Sequence, residues 1–272
     1  KDEVVGEQAS VLFDDAQKML KEMKKSSGFS AKARFGMFCA NSVDSEDILI
    51  FRDSNRKTVL AKIIGLRQQQ RKPAGQFNLS LADFIAPVEA GLEDYIGAFA
   101  VTAGQEFEAL ASEYEGVGDD YSSIMVKALA DRFAEACAEK LHEQIRKECW
   151  GYSKDEVLSA EDLISEKYTG IRPAPGYPAC PDHSQKEIIW SLLSVEENIG
   201  VRLTENLAMF PAASVSGWYF ANPQARYFGV GKIDIEQAQA FAKRKNIPLD
   251  LAEKWLKPNL NYESRSKPQE SN

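Results

Sequence analysis

The stretch Tyr95-Ile-Gly-Ala-Phe-Ala-Val-Thr102 is apolar on both of its alternating faces. A strand with one wet face would carry polar residues at every second position; this one carries none, so it is predicted as a central, buried strand ended by Gly104. Upstream, Phe35, Met37 and Cys39 alternate with other residues, and Ile48, Ile50 and Phe51 follow a polar turn at Asn41-Ser-Val-Asp44. Thr58 to Ile63 continues the pattern beyond Asp53-Ser-Asn55, so three short strands form an antiparallel meander. Before them, Val5, Ala9, Leu12, Phe13, Ala16, Met19 and Leu20 recur at helical spacing, which predicts an amphipathic helix over 3–25.

Downstream, the period is helical over Gln105 to Tyr114 and Tyr121 to Trp150, with an apolar stripe of Ile124, Ala128, Leu129, Phe133, Ala136, Cys137, Leu141 and Ile145. Glu135 sits at that stripe's border. Ser159 with Asp162 signs a capped helix through Tyr168, and Ser184 with Glu187 another through Asn198, stopped by Gly200. Strand-like segments at Leu203–Ala208, Ser214–Phe220 and Arg226–Val230 precede two closing helices, Ile235–Arg244 and Leu249–Leu256. The end of the chain from Asn261 is polar and reads as a frayed tail. Strands cluster at both ends with long helices between, which gives an α+β class.

At 272 residues the chain is long enough to bury a sizeable core, about three quarters of its unfolded surface. The net charge of −8 argues against a broad nucleic-acid surface, which needs a phosphate-neutralising basic face. No apolar run, Ile96–Val101 included, is long enough to span a bilayer, so no membrane partner is expected. Cys39, Cys137, Cys149 and Cys180 are isolated from one another, as in reduced, cytoplasmic proteins.

Chemistry points to Gly170-Ile-Arg-Pro-Ala-Pro-Gly-Tyr-Pro-Ala-Cys-Pro-Asp182, with four prolines and two glycines in thirteen residues. Each proline fixes its own φ and extends the residue before it, so the loop is rigid and irregular. Arg172 offers a planar fork for a carboxylate, and Tyr177 a flat face with a hydroxyl. The same prolines also suit a purely structural crossover. Tyr227 and Phe228 can stack on a purine or serve as ordinary strand aromatics. Cys180 and His183 have no second pair of ligands nearby, so neither zinc nor a Cys–His nucleophile is expected. No glycine-rich phosphate loop is present: Gly229-Val-Gly231 lacks the third glycine.

The run from Arg172 to His183 resembles the R-P-A-x-G-Y-P signature of the activation domain of cobalamin-dependent methionine synthase. LADFIAP at 81–87, DYIGAFAVT at 94–102, IMVKALADR at 124–132, RLTENLAMFPAASVSGWYF at 202–220 and ARYFGVGKI at 225–233 resemble that family as well. The resemblance implies a C-shaped single domain of α+β class, a twisted antiparallel sheet flanked by helices, over 1–260, with the tail at 261–272. It implies binding of S-adenosylmethionine, whose methyl group restores methylcobalamin after oxidation to cob(II)alamin. The cobalamin is held by a partner domain of the same enzyme, and a flavodoxin-type donor supplies the electron. By the same resemblance Arg172 engages the ligand's carboxylate, Ala174, Gly176 and Tyr177 shape the adenosyl pocket, and Tyr227 and Phe228 form an aromatic pair at the ligand. Glu135 and Glu166 lie near the bound cation.

The family's domain usually opens with a D-W-x-P-F-F segment whose aspartate also contacts the ligand. This chain begins downstream of it, at Lys1, and so reads as a piece of a longer, N-terminally truncated domain. The missing contact is worth about 1.5–3 kcal/mol. The expected function is therefore a reactivation module that orients a methyl donor, without catalytic or metal-ligating residues of its own, and inactive alone. Two alternatives remain open: a stand-alone S-adenosylmethionine-binding protein acting on another corrinoid protein, and an interaction module. For docking an acidic flavodoxin, Arg67, Arg71, Lys72, Lys243, Arg244 and Lys245 are the candidate basic patch.

Overall fold

The structure is a computed structural model that describes residues 3–25 and 28–264. It divides into two compact units, the first of residues 1–34, 100–143 and 194–215, the second of 35–99, 144–193 and 216–272. The class is α+β. None of its described helices is long and apolar enough to cross a membrane.

A five-stranded antiparallel sheet runs in the order β3-β2-β1-β4-β7, from β1 (Lys32–Val43), β2 (Asp47–Phe51), β3 (Val59–Ile63), β4 (Asp94–Thr102) and β7 (Ser214–Tyr219). The meander expected from the alternation is present: Ala40 pairs with Ile50 and Ile48 with Ile63. β4 lies between β1 and β7, and Ile96 through Thr102 are buried. On the second unit's part of the sheet, Phe99 stacks on Tyr219 at 4.6 Å. Trp218, Tyr219 and Phe220 are fully buried, each contributing about 1.5–3 kcal/mol by leaving water.

The first unit holds α1 (Glu3–Lys25), α2 (Gln105–Gly116), nearly all of α3 (Asp120–Gln144), α6 (Val195–Ile199) and the two-residue ladder of β5 (Arg202–Leu203) with β6 (Met209–Phe210). Its core joins Met23, Ala103, Phe107, Ala111, Val126, Ala130, Ala134 and Ala213. This corrects the expected stripe on α3. Ile124 and Phe133 are exposed, and the buried line is Val126, Ala130, Ala134 and Ala138. Small side chains on this line let backbones approach more closely than larger apolar residues would. α1 packs only toward its C-terminal end, where Met23 is buried, while Leu12 and Phe13 are exposed; Val5 lies outside the described side chains.

The second unit adds α4 (Ala160–Ile164), α5 (Gln185–Leu193), α7 (Ile235–Lys245) and α8 (Leu249–Leu256). Ser159 and Asp162 form the expected capping box. The helix expected through Asn198 instead breaks at Ser194, in left-handed geometry (φ 46°), and restarts as α6. The Ser184 hydroxyl donates to Asp182 Oδ1 (2.7 Å). Residues 203–208 and 226–230 are not the strands expected. The former turns through Thr204, whose amide donates to the Ala208 carbonyl (2.8 Å), and the latter joins no strand ladder. α7 and α8 close over Ile64, Leu66, Val230 and Ile233. The tail is not frayed from Asn261: that amide bonds the Ile233 carbonyl (3.0 Å) and Tyr262 packs on this core. Residues 265–272 lie outside the described residues.

Asp47, fully buried at the start of β2, is held by Arg244 of α7, by Lys62 (2.9 Å) and by the Gly65 amide (3.1 Å). Removing one partner of a buried charge leaves the other stranded. Arg244→Ala is therefore expected to lower stability by about 2–3 kcal/mol in urea unfolding, since Lys62 remains; parent-like stability would show that Arg244 is not structural.

Candidate functional site

Residues 171–173 run alongside β7, and 175–176 then turn, closed by the Tyr177 amide on the Ala174 carbonyl (3.1 Å). Ile171 and Phe220 exchange both backbone hydrogen bonds (3.0 Å each), and the Trp218 amide donates to the Pro173 carbonyl (3.0 Å). The approach requires Gly217, where a Cβ would stand 2.7 Å from the Pro173 oxygen. Extended geometry alternates sides. Ile171, Pro173 and Pro175 are buried, while Arg172, Ala174 and Gly176 are partly exposed. Three of the residues singled out in the sequence thus share one face.

Beyond them the chain turns back on itself. The Gly176 amide donates to the Cys180 carbonyl (2.7 Å), the Cys180 amide to the Tyr177 carbonyl (2.8 Å), and the Val230 amide to the Pro178 carbonyl (2.8 Å). Gly176 has φ 98°, and a Cβ there would lie 2.2 Å from His183 Cε1. This conformation and this contact both demand glycine. Tyr177 is 63% exposed. The Cys180 thiol is buried and donates to Gln185 Oε1 (3.1 Å), which also accepts from the Trp218 indole (3.2 Å). Burial drives this thiol's pKa up, so it is no nucleophile. Lys245 Nζ donates to the buried Asp182 (2.6 Å) and fastens the loop's far end.

Arg172 and Tyr227 meet. The Arg172 amide donates to the Tyr227 hydroxyl (3.0 Å), and Arg172 Nη1 donates to the Tyr168 hydroxyl (3.1 Å). The two phenolic oxygens are 3.4 Å apart. Tyr227 is 37% exposed. Phe228, its expected companion, packs its ring beside Phe84 (6.3 Å) and on the core under α7 and α8. Glu166 is exposed just past α4, at φ 54°. Glu135 is exposed on α3, in the first unit, next to the buried Ala134.

Behind Tyr168 stands a residue that the sequence did not single out. Arg146, 0% exposed, lies in a π-helical turn over Ile145–Cys149. Such turns are common at functional sites. Glu156 holds its Nε and Nη2 (2.9 and 2.7 Å), and its Cζ lies 4.6 Å from the centre of the Tyr168 ring. Only an arginine ending an apolar helical run hinted at it; its partners come from other segments.

The residues of the candidate basic patch are mostly committed inside the second unit. Arg67 grips Asp83 with both terminal nitrogens (2.7 Å each), Arg244 holds Glu46 and Asp47, and Lys245 holds Asp182. Lys72 donates to Gln68 and to the Phe77 carbonyl. Arg71 and Lys243 are exposed.

A family model described as vitamin B12-dependent methionine synthase, activation domain, matches residues 1–246. A crystal structure of the MetH reactivation domain bound to AdoHcy is 52% identical, with a TM-score of 0.92, over 96% of this chain and 80% of that chain.

His183 carries a titration that bears on the loop. Partial burial and then the Lys186 ammonium, whose Nζ is 3.2 Å from Nδ1, hold its pKa below the ordinary 6.5. Folding therefore favours the neutral ring. Its contribution is complete above the unfolded value and declines as pH falls below it. The protection of the Gly176 and Cys180 amides relative to their intrinsic exchange rates is expected to fall from pH 7 to 5, and His183→Gln to flatten that dependence; an unchanged dependence in the variant would exclude this imidazole as its source.

Proposed function

The chain belongs to the family of vitamin B12-dependent methionine synthase activation domains, and we propose that it binds S-adenosylmethionine along the 172–177 face. The observation that carries this reading is Arg172, set on a rigid extended backbone with the Tyr227 hydroxyl bonded to its own amide. The residues fit the ligand's chemistry. A guanidinium takes a carboxylate in two parallel hydrogen bonds, and a half-exposed phenol offers a flat face to a nucleoside. The relative bound to AdoHcy supports the choice of ligand class.

In this reading Arg172 binds the carboxylate, and Ala174, Gly176 and Tyr177 line the adenosyl group with Tyr227. The Phe228 ring is engaged in packing, so its share is its backbone. Glu166 attracts the ammonium and sulfonium charges. The bound sulfonium supplies a transferable methyl group. The protein's part is orientation, so that this group faces a cobalamin held by another domain while a flavodoxin-type donor provides one electron. We place this work in the cytoplasm, in keeping with four free thiols. On this account the chain alone turns nothing over.

Calorimetric titration with AdoHcy and S-adenosylmethionine tests the site. Arg172→Ala is expected to weaken both by about ten- to hundredfold, the worth of a charge-assisted pair. Affinity equal to the parent's would overturn the assignment.

A further inference from the structure

Tyr168 is 6% exposed, which leaves little of it for a ligand to touch. Two cations lie near its ring: the Arg146 Cζ is 4.6 Å and the Arg172 Cζ 5.5 Å from its centre. An aromatic face attracts a guanidinium. Two guanidiniums near one ring repel each other unless one is neutralised, and Glu156 neutralises Arg146 with a two-pronged grip from a side chain only 10% exposed. That leaves the ring and its hydroxyl to hold Arg172, whose Nη1 donates to it at 3.1 Å. The same hydroxyl is 3.4 Å from that of Tyr227.

We infer that Tyr168 is a positioning residue for the ligand's carboxylate: clamped by the Arg146–Glu156 pair, it fixes where the Arg172 guanidinium stands before any ligand arrives. This rests on the reading of Arg172 given above. An arginine side chain is otherwise rich in rotamers, and a fixed fork loses less of that freedom on binding. Tyr168 thus acts on the ligand's carboxylate through Arg172.

The test compares AdoHcy with 5′-methylthioadenosine, which keeps the nucleoside and thioether and lacks the amino acid. Tyr168→Phe keeps the ring and removes the hydroxyl. It is expected to weaken AdoHcy by about threefold to tenfold, the worth of one hydrogen bond, and to leave 5′-methylthioadenosine unchanged. On an Arg172→Ala background the same substitution is expected to change nothing further. Equal losses for the two ligands, no loss for AdoHcy, or an additive loss on that background would each overturn the positioning role. If the parent fails to bind AdoHcy, or Arg172→Ala binds it as tightly as the parent, the underlying reading of Arg172 falls and takes this one with it. A second measurement needs no variant: nitrogen-detected NMR of the ligand-free parent is expected to show hindered rotation of the Arg172 guanidinium, and free rotation would overturn the proposal.

Discussion

Pro173 and Pro175 have no amide hydrogen to satisfy, and the geometry of the site depends on that. A buried backbone N–H without a partner costs as much as a lost hydrogen bond. Prolines at alternate positions can therefore enter the core of an extended segment without that cost, while their fixed φ keeps the chain extended. The Pro173 carbonyl, which is present, is taken by the Trp218 amide, and Ile171 pairs fully with Phe220. What remains on the other side is Arg172, Ala174 and Gly176. β7 supplies the platform, and Gly217 sets how near the segment comes to it.

Charge is handled locally. The chain carries a net −8, yet the carboxylates nearest the loop, Asp182 and Glu156, are each taken by a cation from a distant segment or a buried turn. Lys245 and Arg146 are spent as fasteners, and so are Arg67 and Arg244. Cations committed in this way have little left for a partner's surface. An electrostatic docking face in the second unit would have to draw on exposed residues such as Arg71 and Lys243.

Where one periodicity governs a segment, the sequence was a good guide. The meander, the buried β4, α4 at Ser159, and α7 with α8 all follow from local pattern and capping. The proline loop's rigidity was equally legible. α3 was not, because hydrophobicity ranks Ile124 and Phe133 above alanine, while close packing selected Val126, Ala130 and Ala134. The break at Ser194 carries neither glycine nor proline to announce it. The segments 203–208 and 226–230 have strand-like composition without a ladder to join. Of the site, Arg172 and Tyr227 were visible, whereas the support from Tyr168, Arg146 and Glu156 depends on a π-turn and on a contact across 22 positions of chain, from Arg146 to Tyr168, which no spacing rule encodes.

A crystal structure of this chain with AdoHcy tests the central claim most directly. The account predicts the ligand's carboxylate in two hydrogen bonds with the Arg172 guanidinium and its nucleoside along the backbone of 174–177. A nucleoside lodged elsewhere, with no carboxylate on Arg172, would contradict it.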